Sequence, residues 1–170
     1  MIGPEIAITI RPEAPGDEKI IFALTEAAFS DMEHSDGDEQ HLVDRLRADG
    51  DLALSLVAED GERIVGQIAF SPVEIADGAQ GWFGLGPVSV WPELQRKGIG
   101  GALIRRGIAD LRARGARGIV LLGSDTYYPR FGFEPAAPMT YAPAPARYFQ
   151  ALVLDGDKPS GAVSYARAFG

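Results

Sequence analysis

Seven consecutive residues, Gln95-Arg96-Lys97-Gly98-Ile99-Gly100-Gly101, hold the clearest chemical signal in the chain. Three glycines in four positions let a backbone approach a ligand with no Cβ in the way. An apolar, strand-like run over 85–91 precedes them and a helical pattern over 102–114 follows. Amides that open a helix lack intrahelical acceptors and carry partial positive charge, so such a junction suits a phosphate. Arg96 and Lys97 add two full charges. A Walker-type loop would end Gly-Lys-Ser/Thr, whereas this one runs into Gly-Gly-Ala. A dinucleotide fingerprint counted from Gly98 needs a glycine at 103, where Leu103 stands. What remains is Gln-x-x-Gly-x-Gly between a strand and a helix. It reads as a pyrophosphate-binding loop, against the plainer alternative of a glycine-rich turn.

The rest of the charge is unevenly spread. Between Gln95 and Gly118 stand seven basic residues and one acid, Asp110; between Asp31 and Glu39 stand five acids and no lysine or arginine. A basic end beside the loop suits a ligand with several phosphates, and an acidic segment suits a cationic substrate. Taken singly, most of these charges are better accounted for as solvated surface. The net charge of −8 argues against a nucleic-acid partner, which needs a basic face. There is no cysteine, hence no thiol nucleophile, disulfide or zinc-thiolate site. His34 and His41 are seven apart with no neighbouring ligand pattern, so no metal is expected. No apolar run approaches the roughly 20 residues of a membrane span, and the first residues lack a signal-peptide pattern. A cytoplasmic protein is the expectation.

The elements that must position the loop follow from periodicity. Alternation predicts a strand over 6–10; acids at 17–18 and the stripe Ile20, Ile21, Leu24, Ala28, Phe29 predict a helix. A second helix is expected over 38–48, with Leu42, Val43 and Leu46 inward. Strands are expected over 52–58 and 63–75, joined at Asp60-Gly61, and over 82–91 after Asp77-Gly78. The apolar run 119–122 reads as an inner strand parallel to the one before the glycine loop. A short helix or turn over 125–131, an irregular proline-rich loop over 135–145 and strands near 149–154 and 162–166 complete the chain. The order describes one α/β domain over 1–170 with a mixed sheet flanked by helices.

Two stretches together carry a resemblance. Gly86-Pro87-Val88-Ser89-Val90, then Trp91-Pro92-Glu93 and the glycine loop, are followed one helix and one strand later by Tyr127-Tyr128-Pro129-Arg130-Phe131-Gly132-Phe133. In this order and spacing the chain, over about 6–154, resembles the GNAT superfamily of N-acetyltransferases. The resemblance implies fourth and fifth strands that splay apart, and acetyl-CoA as acetyl donor. Its pyrophosphate would lie on Gln95, Arg96, Lys97, Gly98, Ile99, Gly100 and Gly101, and its pantetheine along the backbone of Val88, Ser89 and Val90. Ser124 and Asp125 could also bond the pantetheine, although Asp125 reads more strongly as a helix N-cap. The acceptor, a small-molecule or peptide amine, would attack the thioester directly, with Tyr128 as general acid or simply an aromatic packed under the donor. Tyr127 reads as packing, and Phe131 and Phe133 as core. Glu33 and Glu39 are the candidate bases or acceptor-side residues, with Glu26 near them and a water-mediated route as the alternative. A non-catalytic acyl-CoA-binding module and a transferase of longer acyl groups remain open alternatives, as does a homodimer.

Overall fold

Alternating apolar strands and three amphipathic helices bury their apolar faces against one another, which is what fixes the layering. The structure is a computed structural model that describes residues 7–30 and 38–170. A seven-stranded mixed sheet runs in the order β1-β2-β3-β5-β6-β9-β7. Its strands are β1 (Thr9–Pro12), β2 (Leu54–Asp60), β3 (Arg63–Pro72), β5 (Trp82–Val90), β6 (Gly118–Leu122), β7 (Glu134–Pro135) and β9 (Phe149–Val153). A second sheet in the order β4-β10-β8 joins β4 (Glu74–Ile75), β10 (Gly161–Ser164) and β8 (Met139–Thr140). The helices are α1 (Glu18–Phe29), α2 (Glu39–Ala48) and α3 (Ile99–Ala113).

The helix α3 covers one face of the large sheet. Leu103, Ile104 and Leu111 bury against Leu56, Ile68, Phe70, Ile119 and Leu121. Burial of each such side chain stabilises the fold by about 1.5–3 kcal/mol. Glycine permits the close approach: a Cβ on Gly107 would lie 2.4 Å from Cε2 of Phe70. On the opposite face, Ile21 and Leu24 of α1 and Val43 and Leu46 of α2 are buried, the first three in a cluster with Val57, Ile64 and Ala69. The smaller sheet buries Trp82, Val120, Phe149 and Val163.

Several boundaries differ from the sequence reading, each for a tertiary reason. Of the first strand, Ile6 lies outside the described residues, and the pairing with β2 runs from Thr9 to Pro12. The expected long strand over 63–75 divides after Pro72, and Glu74–Ile75 pair instead with β10. The stretch 135–145 is not wholly irregular: β7 pairs with β9, and β8 pairs with β10. Those two-residue strands have no local periodicity and exist through their partners. Ile20, placed in the α1 stripe, is 43% exposed, and Leu122, placed in a buried strand, is 41% exposed. The helix α3 starts three residues earlier than its apolar pattern, so Gly100 and Gly101 belong to its first turn.

Candidate active site at the splayed strands and the first turn of α3

The site begins with a divergence in the sheet. Strands β5 and β6 are parallel, as their sequence order through α3 requires, but they pair only over Trp82–Gly84 and Gly118–Val120. Past Gly84 the register of β5 on β3 changes: Phe70 faces Leu85 whereas Ile68 faces Val88, so β5 carries one extra residue. Such a bulge bends the strand that contains it. Gly86, at φ 149°, supplies the unusual backbone. Residues 85–90 therefore keep β3 on one side and an opening on the other.

The backbone facing that opening can be identified. The Trp91 N–H donates to the Val65 carbonyl at 3.3 Å. Along an antiparallel ladder the bonded residues alternate, so Ser89 also turns its backbone to β3, and Val88 and Val90 turn theirs to the gap. Gln95 uses part of this: its Nε2 donates to the Val90 carbonyl at 3.1 Å. Both valines line a cavity of about 660 Å³. Ser89 does not; its side chain is 2% exposed on the α1 face, with its Oγ 3.4 Å from Thr25 Oγ1.

The glycine loop forms the other wall. Gln95, Arg96, Gly98, Ile99, Gly100 and Gly101 all border the cavity, and Lys97 does not. Gly98 stands at the N-cap of α3 with φ 88°, and no side chain caps the helix. The Ala102 N–H donates to the Gly98 carbonyl at 3.0 Å, the first bond of the helix, so the amides of Ile99, Gly100 and Gly101 have no intrahelical acceptor. Among the described non-glycine residues only Arg96 has positive φ, 64°. Held in that conformation, the loop keeps the start of α3 open. Packing does not demand a glycine at 100: the sole atom within 4 Å of an added Cβ is Val90 Cγ2 at 3.9 Å. The space Gly100 keeps clear is the cavity itself.

Arginines and aromatic rings close the remaining side. Arg105 and Arg130 border the cavity together with Leu94, Ile104, Tyr127 and Phe131, six residues that the motif reading left out of the site. The Arg105 guanidinium lies 4.9 Å from the Phe131 ring centroid and Arg130 lies 4.4 Å from that of Tyr127. Arg130 Nε also donates to the Tyr127 carbonyl at 2.8 Å. No carboxylate lines this cavity, so three guanidiniums and the helix start set a positive field. Helical spacing was the available signal for Arg105, one turn after Gly101 on the same face. Tyr127 packs as the sequence suggests and Phe133 is core, but Phe131, expected in the core, is only half-buried and forms wall together with Tyr127.

Tyr128 stands behind that wall rather than in it. Its ring contacts Tyr127 edge-on at 5.1 Å and Phe133 at 6.1 Å. Burial, and secondarily the neighbouring Tyr127, pushes its hydroxyl up to about 12, so it stays protonated at neutral pH. Ser124 and Asp125 lie outside the cavity lining. The turn there is capped by Ser124, whose Oγ accepts from the Thr126 and Tyr127 amides at 3.2 Å each; Asp125, the expected cap, is exposed. On the acceptor side, Glu33 lies outside the described residues. Glu39 opens α2, with an Oε accepting from the Asp38 amide at 3.0 Å. Asp38 in turn pairs with Arg45 at 3.2 Å. Among the described residues no group of three histidines or carboxylates is placed to hold a metal, and no helix is long and apolar enough to cross a membrane.

A splayed parallel strand pair with an uncapped glycine helix start beside it has clear relatives. Residues 9–136 match the family model described as Acetyltransferase (GNAT) domain. The uncharacterized N-acetyltransferase YhbS of Escherichia coli K12 is 40% identical over 129 residues, covering 75% of this chain and 74% of that protein. Among solved structures, a GNAT family acetyltransferase from Brucella melitensis in complex with acetyl-CoA is 49% identical, with a TM-score of 0.86 over 97% of this chain and 99% of that one. Escherichia coli YhbS in complex with CoA gives 34% identity and a TM-score of 0.88 over 99% and 95%. The chain belongs to the GNAT acetyltransferase family, and it is an acyltransferase.

Proposed function

We propose that the protein transfers the acetyl group of acetyl-CoA to a primary amine by direct attack, with Tyr128 as general acid. The observation that carries the reading is the continuous cavity that joins the amides of Ile99, Gly100 and Gly101, which lack intrahelical acceptors, to the edge of β5 at Val88 and Val90 that no strand pairs. The first can hold a pyrophosphate, and the second can pair with an amide-bearing arm as an added strand would. The complexes formed by the Brucella melitensis and Escherichia coli relatives support the same donor.

In the step itself the amine nitrogen bonds to the thioester carbonyl carbon and the C–S bond breaks. Backbone N–H groups on the free edge of β5 can stabilise charge that develops on the carbonyl oxygen. Sulfur receives the Tyr128 proton, and the proton lost by nitrogen restores the phenol. With Tyr128 near 12 and an alkyl thiol near 8.5, full transfer from tyrosine alone is uphill by about 5 kcal/mol. Donation to sulfur and recovery of the nitrogen's proton must therefore be coupled. Thiol release from acetyl-CoA, measured against a panel of amines, amino acids and peptides, tests the proposal. Turnover that requires an amine supports it. Binding of acetyl-CoA with no amine-dependent release across the panel leaves a non-catalytic acyl-CoA-binding module instead.

A further inference from the structure

Beyond the glycine loop the same face of α3 continues into a second cavity of about 290 Å³. It shares Arg105, Arg130 and Phe131 with the first, so the two are contiguous. Arg112 stands on its far side, two helical turns after Arg105 on the same face of α3. In a chain of net charge −8, Arg11, Arg45, Arg47, Arg63, Arg106 and Arg167 each pair with a carboxylate. None of Arg105, Arg112 and Arg130 does so among the described residues. Two of them are held by aromatic faces. Arg105 sits over Phe131, with Nη1 3.3 Å from the Cβ position of Gly101, and Arg130 sits over Tyr127. A guanidinium stacked by its face keeps N–H groups for an acceptor with several oxygens; Arg130 spends its Nε on the Tyr127 carbonyl and retains its two Nη groups.

We propose that Arg105, Arg112 and Arg130 form a second anion site that takes the 3′-phosphate of coenzyme A and makes the protein distinguish coenzyme A from dephospho-coenzyme A. The inference rests on the reading that the pyrophosphate of coenzyme A lies at the first turn of α3. From there an adenosine that runs along α3 meets Arg105, Arg130 and Arg112 in turn. A phosphomonoester carries nearly two negative charges at neutral pH, the charge that a group of uncompensated arginines is able to bind. Ile108 and Leu152 give the same cavity an apolar wall beside the cations.

Calorimetric titration with coenzyme A and with dephospho-coenzyme A tests the site without any turnover. The wild-type protein is expected to bind coenzyme A at least about tenfold more tightly, the scale of one or two charge-assisted hydrogen bonds. Arg112→Gln, an exposed residue that borders only the second cavity, is expected to weaken coenzyme A and leave dephospho-coenzyme A unchanged. Arg112→Lys keeps the charge without the planar fork and is expected to fall between. Lys19→Gln, on α1 at the other face, is expected to change neither affinity. Equal wild-type affinity for the two ligands overturns this site alone, as does an Arg112→Gln protein weakened equally for both. No binding of either ligand overturns the coenzyme A reading and this site with it.

Discussion

The ring of Tyr128 fills the space that a side chain on residue 123 would take: an ideal Cβ on Gly123 would lie 2.4 Å from Tyr128 Cε2 and 2.9 Å from its Cδ2. Gly123 is itself held at the end of β6, its amide donating to the Tyr148 carbonyl at 3.0 Å and its carbonyl accepting from Gln150 Nε2 at 3.1 Å. The tyrosine is thus located by a strand end that cannot readily yield. Gly123→Ala is expected to displace the ring and lower kcat, while the melting shift produced by coenzyme A is retained. Tyr128→Phe is expected to lower kcat roughly 10-fold to 1000-fold with little change in the acetyl-CoA KM, the pattern of an interaction made in the transition state. If Tyr128→Phe is silent and Tyr127→Phe is not, the acid is the residue that borders the cavity.

Burial raises Tyr128, and the protonated phenol is the active form in this mechanism. Its loss is therefore centred near pH 12 rather than near 10. The profile of kcat/KM against pH is expected to rise as the amine deprotonates and to show no tyrosine-dependent decline through pH 10. An alkaline limb near pH 10 that disappears in Tyr128→Phe would contradict the environment described for this hydroxyl.

Gly100→Asp puts a carboxylate where Gly100 now leaves the cavity clear. A ligand that binds only the folded state raises the melting temperature by mass action. Millimolar acetyl-CoA is expected to stabilise the wild-type protein and to give no shift with Gly100→Asp. An unshifted wild-type melt removes the donor assignment.

Alanine for glycine inside a helix normally gains about 1 kcal/mol. At Gly107 the sign should reverse, because the new methyl would meet Cε2 and Cζ of Phe70 at 2.4 and 2.5 Å in a closely packed core. Overpacking of this kind costs about 1–3 kcal/mol, or a melting temperature lower by roughly 2–10 °C for a domain of this size. A Gly107→Ala protein as stable as wild type shows that α3 can move off β3 at little cost.

The acidic stretch 31–39 motivates a cationic acceptor. Attraction by exposed charge is screened within roughly 10 Å at 0.1 M salt. Acceptor kcat/KM is therefore expected to fall as salt rises, and Glu33→Gln with Glu39→Gln to raise acceptor KM with acetyl-CoA binding intact. Unchanged acceptor kinetics in the double variant, or an anionic best acceptor, reduces the stretch to solvated surface.

By itself the sequence determined what is encoded locally. The open, glycine-rich start of α3 at Gln95 to Gly101 was legible because positive φ and uncapped helix amides depend on residue type and spacing. The α1, α2, β2, β3, β5 and β6 elements were legible because each has its own apolar period. The tertiary structure decided what depends on partners distant in sequence. Val88 and Val90, but not Ser89, face the opening because pairing with β3 sets the register of β5. Arg105 and Arg130 enter the cavity because Phe131 and Tyr127 return from the far side of β6 to stack on them. The short strands β7 and β8 arise from pairing with β9 and β10. Tyr128, conspicuous in its motif, stands behind Tyr127 because Gly123 leaves room for its ring there, a vacancy that no local pattern in the chain records.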